Sequence, residues 1–82
     1  MYLTAACPFC QSAERLLAAK GVGDIERVRV DLEPQRRAEM MQKSGRRTVP
    51  QIWIGERHIG GCDDLYDLDA AGELDGLLAV PA

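Results

Sequence analysis

The chain has 82 residues, 46% of them hydrophobic, which suits one small domain over residues 1–82 with a modest core. Its net charge of −3 argues against nucleic acid as a partner. It contains neither an apolar run of the ~18 residues a membrane span needs nor the basic, apolar and small-residue series of a secretory leader, so a soluble cytoplasmic chain is expected.

The first segment, "MYLT", is short, apolar and β-favouring, and reads as a strand. "PFCQSAERLLAAKG" reads as a helix: Pro8 suits the first helical position, Cys10, Ala13, Leu16 and Leu17 form an apolar stripe, and Gly21 stops it. "IERVRVDL" alternates from Glu26 onward, which predicts a half-buried strand with Val28, Val30 and Leu32 inward and Arg27, Arg29 and Asp31 outward. "PQRRAEMMQKSG" predicts a second helix between Pro34 and Gly45, with Met40 and Met41 as packing residues. Gln51–Ile54 and Arg57–Ile59 then read as a β-hairpin turning at Gly55-Glu56. "CDDLYDLDAAGELDGLLAV" is helical again, with Leu65, Leu68, Leu74, Leu77 and Leu78 apolar and Gly72 dividing it. The order β-α-β-α-β-β-α, with the last helix divided, predicts an α/β fold whose early strands are parallel and whose late hairpin adds an antiparallel edge.

Three cysteines cannot all pair within one chain. Two of them form C-x-x-C at Cys7-Pro8-Phe9-Cys10, and Cys62 stands far away, a pattern that suits a reducing compartment and a catalytic pair. With the helix opening at Pro8, Cys7 is its N-cap. The unpaired N–H groups of the first turn and the positive end of the helix dipole then favour thiolate over thiol, and the thiolate is the species that attacks a disulfide. Cys10 lies about one turn on, on the same side and deeper, so its expected role is to attack second. Pro8 and the strand-to-helix junction point to an exposed sulfur on Cys7. Two rival uses of C-x-x-C are open: half of a zinc site, for which only Cys62 and His58 remain as further ligands, and a buried structural pair.

Charge is unevenly placed. Residues 36–47 hold five cations (Arg36, Arg37, Lys43, Arg46, Arg47) and one anion, whereas residues 63–75 hold six anions and no cation. These are either two solvated faces or, in part, a grip on a small zwitterionic ligand. "GGCDD" at residues 60–64 is a glycine turn running into a helix, the arrangement of an anion site, with Asp63 or Asp64 alternatively a simple helix cap. Trp53 reads as core or sheet-face packing, and His58 as a strand residue outside the chemistry.

Taken in order, C-P-F-C, "GRRTVPQIWIG" and "HIGGCDDLYDLD" make the chain resemble the glutaredoxins, most closely the small bacterial dithiol class, over essentially its whole length. The resemblance implies a thioredoxin-like fold, a four-stranded mixed sheet flanked by helices. It implies glutathione-dependent reduction of protein disulfides and of glutathione mixed disulfides, with Cys7 as nucleophile and Cys10 as resolving thiol. Glutathione is then a reducing co-substrate, disulfide-bonded or glutathionylated proteins are the clients, no cofactor is tightly bound, and the protein works as a monomer. Residue by residue, Phe9 falls where relatives commonly carry tyrosine beside the glutathione sulfur. Thr48-Val49-Pro50 matches the cis-proline loop, where Val49's backbone would pair with an extended cysteinyl backbone. Gly61 and the backbone of Cys62 would meet the γ-glutamyl carboxylate and Asp63 its ammonium, leaving Asp64 as the cap. The Cys62 thiol is a small space filler. Arg37 would hold the glycine carboxylate. One departure weakens the expected site: Thr4 stands where many relatives carry a lysine, so the helix terminus and Arg37 must do more. Two other functions fit the same motif, a thioredoxin-like electron donor reduced by a flavin reductase and an iron–sulfur or zinc carrier.

Overall fold

Proline opens and glycine follows the first two helices of the computed structural model, which describes residues 1–79. Helix α1 spans Pro8–Ala19 and α2 spans Pro34–Ser44, each with proline in its first turn. Gly45 caps α2 with φ 71°, a conformation that glycine enters without a Cβ penalty. The last helical stretch divides at Gly72 into α3 (Cys62–Ala70) and α4 (Leu74–Ala79). The predicted continuation to Val80 lies outside the described residues.

The first three strands are shorter than expected from the sequence, and the fourth runs one residue further, to Gly60. They are β1 (Tyr2–Leu3), β2 (Val28–Arg29), β3 (Ile52–Ile54) and β4 (Arg57–Gly60). β1 and β2 pair in parallel, Tyr2 with Val28 and Leu3 with Arg29, and β3 and β4 pair antiparallel. Tyr2 and Gln51 exchange two backbone hydrogen bonds of 2.9 and 3.1 Å, an antiparallel bridge that joins both ladders. Two two-stranded sheets are thereby linked through one bridge into the expected mixed arrangement, in the spatial order β2-β1-β3-β4. Gln51 serves as this bridge rather than as the first residue of β3.

The inward assignment of Leu32 is corrected: it is 69% exposed. Alternation ends at Val30 because the chain turns there, with the N–H groups of both Leu32 and Glu33 donating to the Arg29 carbonyl. The turn is braced by a two-pronged Arg29–Asp31 pair at 2.7 and 2.6 Å, which holds the Asp31 carboxyl down at about 2.

The two faces of the sheet pack different partners. Tyr2, Val28 and Val30 face α2 and bury Met40, with Met41, Val49 and Trp53 at the margin. Ile52 faces the other way, onto Ala13 and Leu17 of α1, Cys62 and Leu65 of α3, and Leu74 of α4. Leu3, one residue along from Tyr2 and therefore on the opposite face, packs with Cys7 and Cys10. β1 thus places the cysteine pair directly over the core.

Leu65 is fully buried and Leu32 is not. Leu65→Ala is expected to cost about 2–5 kcal/mol through lost burial and the cavity left behind, while Leu32→Ala changes stability by less than about 0.5 kcal/mol. Urea denaturation midpoints of the two variants check both.

Candidate active site

Cys7 is the N-cap of α1, with extended backbone dihedrals (φ −120°, ψ 104°), and its sulfur accepts the Cys10 backbone N–H at 3.2 Å. This hydrogen bond turns one of the free donors of the helix start onto the sulfur. The Cys7 Sγ also lies 3.8 Å from the Val49 carbonyl, to which it donates as a thiol. Cys7 is buried, 7% exposed, where an exposed sulfur was expected, because Leu3, Cys10 and Val49 close around it. Cys10 is deeper still at 1%. Burial pushes the Cys10 thiol up to about 12; a hydrogen bond with Cys7 adds to the rise and the Thr4 backbone opposes it. Cys10 is therefore a neutral thiol at ordinary pH.

A cleft of about 270 Å3 opens beside the pair. The loop before β3 supplies Thr48, Val49 and Pro50, and the Val49–Pro50 peptide bond is cis. The turn before α3 supplies Gly61, Cys62 and Asp63. The two loops touch: a Cβ on Gly61 would lie 3.4 Å from the Pro50 carbonyl. Phe9, 63% exposed, completes the lining together with Arg46 and Asp64. Seven of the residues expected from the sequence are thereby gathered around one cleft. Arg37 is not among those lining it; its guanidinium donates to the Arg47 carbonyl at 3.1 Å, next to Thr48 in the chain. Burial raises the Cys62 thiol, and neighbouring Asp63 and Cys7 add to the effect.

Sequence reasoning missed Arg46 as a residue of the cleft. It forms an ion pair of 2.8 Å with Asp64, which also accepts the Gly61 N–H at 2.9 Å. Asp64 is thus the helix cap, as expected, and one half of a bridge from the loop after α2 to the start of α3. Arg46 first, then the Gly61 N–H, holds the Asp64 carboxyl below the ordinary carboxylate range. The pair sits over Gly60, whose φ is 116° and where a Cβ would collide with the Asp64 carboxylate and crowd Arg46 at 3.0 Å. No sequence signal separates Arg46 from its neighbours in a run of five cations. Among the described residues, no group of three or more His, Cys, Asp or Glu is placed to hold a metal, and no helix is long and apolar enough to cross a membrane.

A helix-capping cysteine with a buried second thiol one turn behind it is an arrangement suited to thiol–disulfide exchange. The glutaredoxin family model matches residues 1–59. A glutaredoxin of Pseudomonas aeruginosa is 54% identical over 80 residues, covering 98% of this chain and 94% of that one. In structure, the dithiolic glutaredoxin 2-C-Grx1 of Trypanosoma brucei brucei superposes with a TM-score of 0.85 at 43% identity, covering 95% of this chain and 82% of that one. A buckwheat glutaredoxin in complex with glutathione superposes with a TM-score of 0.87 at 30% identity, over 94% and 72% of the two chains. The chain belongs to the glutaredoxin family and has its thioredoxin-like fold. Its activity is thiol–disulfide exchange.

Gly60→Ala is expected to lower stability by roughly 1–3 kcal/mol, from the positive φ and the displaced ion pair; thermal denaturation measures it. Because folding depresses the Asp64 carboxyl, its contribution is complete above the ordinary carboxylate range. That contribution is lost as pH falls through the lower folded value. Asp64→Asn should therefore flatten the acid limb of a Tm-against-pH curve relative to wild type.

Proposed function

We propose that the protein reduces protein disulfides and glutathione mixed disulfides with glutathione as electron donor, acting through residues 1–82 as one monomeric unit without a tightly bound cofactor. The observation that carries this reading is the cleft beside Cys7, where the Thr48–Pro50 loop and the Gly61–Asp63 turn meet. The glutathione held by the structurally similar buckwheat protein supports it.

In the proposed reaction the Cys7 thiolate attacks the glutathione sulfur of a mixed disulfide. A Cys7–glutathione disulfide forms and the client leaves as thiolate. The thiolate of a second glutathione then attacks the glutathione sulfur of that disulfide, releasing oxidised glutathione and returning the Cys7 thiolate. With a protein disulfide, Cys7 forms a mixed disulfide with the client and Cys10 displaces it, after losing its proton. Two glutathione molecules reduce the resulting Cys7–Cys10 disulfide.

The cleft residues take separate parts in binding. The Val49 backbone pairs with the cysteinyl backbone of glutathione, taking over the carbonyl that Cys7 uses at rest. Thr48 and Pro50 shape the loop, and Phe9 covers the sulfur. Gly61 lets the ligand approach, the Cys62 N–H at the start of α3 receives the γ-glutamyl carboxylate, and Asp63 receives the ammonium. Arg37, tethered at Arg47 beside this loop, offers its remaining donors to the glycine carboxylate.

Reduction of a glutathionylated peptide and of a protein disulfide, coupled to glutathione reductase, tests the roles. Cys7→Ser is expected to abolish both activities. Cys10→Ser keeps deglutathionylation within a few-fold and loses protein-disulfide reduction. Turnover with a flavin-dependent thioredoxin reductase but not with glutathione would overturn the glutathione assignment.

A further inference from the structure

Gln51 is a fully buried polar side chain set between the cleft loop and β4. Its amide nitrogen donates to the Thr48 carbonyl at 3.0 Å and lies 3.4 Å from the Thr48 hydroxyl. A carbonyl only accepts, so this contact fixes the amide: nitrogen toward Thr48, oxygen away from it. That oxygen stands 2.8 Å from His58 Nε2. It too only accepts, so His58 Nε2 carries a proton. The imidazole is steadied by Trp53, with ring centroids 4.5 Å apart.

The strand geometry makes the contact possible. Trp53 pairs with His58, yet Ile52 pairs with Gly60, so Ile59 is an extra residue in β4. This bulge leaves His58 on the face of Gln51 and Trp53 while bringing Gly60 opposite Ile52, where the chain turns into Gly61 and α3. His58 is thus tied to one cleft loop through its side chain and to the other through the backbone.

We propose that Gln51 and His58 are positioning residues of the cleft. The relay from His58 Nε2–H to Gln51 Oε1, and from Gln51 Nε2–H to the Thr48 carbonyl, fixes the Thr48–Pro50 loop against the Gly61–Asp63 turn. Neither residue touches substrate. The inference rests on the glutathione-dependent reading and adds to it a source of affinity behind the cleft. A brace on a loop that binds, rather than on a group that reacts, acts on KM more than on kcat.

Three variants and one spectroscopic measurement test the relay. His58→Phe keeps a ring on Trp53 and removes the donor. His58→Gln returns an amide donor. Gln51→Glu still accepts from His58 but sets a carboxylate oxygen against the Thr48 carbonyl. For a glutathionylated peptide, His58→Phe and Gln51→Glu are expected to raise KM by about 3- to 10-fold with kcat changed by less than about twofold, and His58→Gln to recover most of the loss. In wild type, 15N NMR of the imidazole should find the proton of neutral His58 on Nε2, and His58→Phe should shift the Thr48 and Val49 amide resonances. A proton on Nδ1 overturns the proposal. So does an unchanged KM in both damaging variants with unmoved Thr48 and Val49 resonances. If wild type fails on glutathionylated peptides while the NMR signatures hold, the glutathione reading fails and the relay stands.

Discussion

Two backbone hydrogen bonds between Tyr2 and Gln51 hold this molecule in its working form. They are the antiparallel link between the parallel β1–β2 ladder and the β3–β4 hairpin. Their position in the chain matters as much as their number. Gln51 follows Pro50 directly, and Tyr2 opens the strand that leads into Cys7. The bridge therefore fixes the cleft loop and the cysteine loop against each other, and Cys7 Sγ lies 3.8 Å from the Val49 carbonyl as a result. Each backbone hydrogen bond is individually worth only about 0.5–1.5 kcal/mol. The bridge holds because Tyr2 is packed on both sides of it, edge-on to Trp53 at 5.3 Å and against Val28, Val30 and Met40.

The uneven charge of the sequence also acquires a structural meaning. The end of the basic stretch, in the loop after α2, meets the start of the acidic stretch on α3 at the Arg46–Asp64 pair over Gly60. Other charges are spent locally. Lys20 at the end of α1 reaches Asp69 and Asp75, and Lys43 lies 5.3 Å from the Trp53 ring centroid and 5.9 Å from that of Tyr2. Exposed pairs of this kind contribute little to stability. Arg46–Asp64 matters for where it stands: it ties the loop after α2 to the turn before α3 at the edge of the cleft.

Helix limits were legible because they depend on single residues with local effects: Pro8, Pro34, Gly21, Gly45 and Gly72 each act within one turn. The position of Cys7 at the head of α1 was legible for the same reason, since an N-cap is a local geometry. Strand ends were less so. The alternation through Leu32 continues past the point where the Arg29 carbonyl captures two N–H groups and turns the chain. The burial of Cys7 was hidden because it comes from Leu3 and Val49, which are brought in from other elements. Arg46 and Gln51 were illegible on stronger grounds. One is chosen from a run of chemically equal cations only by the path of the chain, and the other acquires its partner through a bulge at Ile59 that no composition rule marks.

The two buried thiols sit in different surroundings. Cys7 has one free donor of the helix start, the Cys10 N–H, directed at its sulfur, while Cys10 has its side chain sunk into the core beneath and its thiol held neutral by desolvation. Phe9 and the Thr48–Pro50 loop line the cleft next to this pair. The neighbouring Cys7 adds to the rise that burial gives the Cys10 thiol. The asymmetry of the pair arises from one helix register laid over one core residue, Leu3.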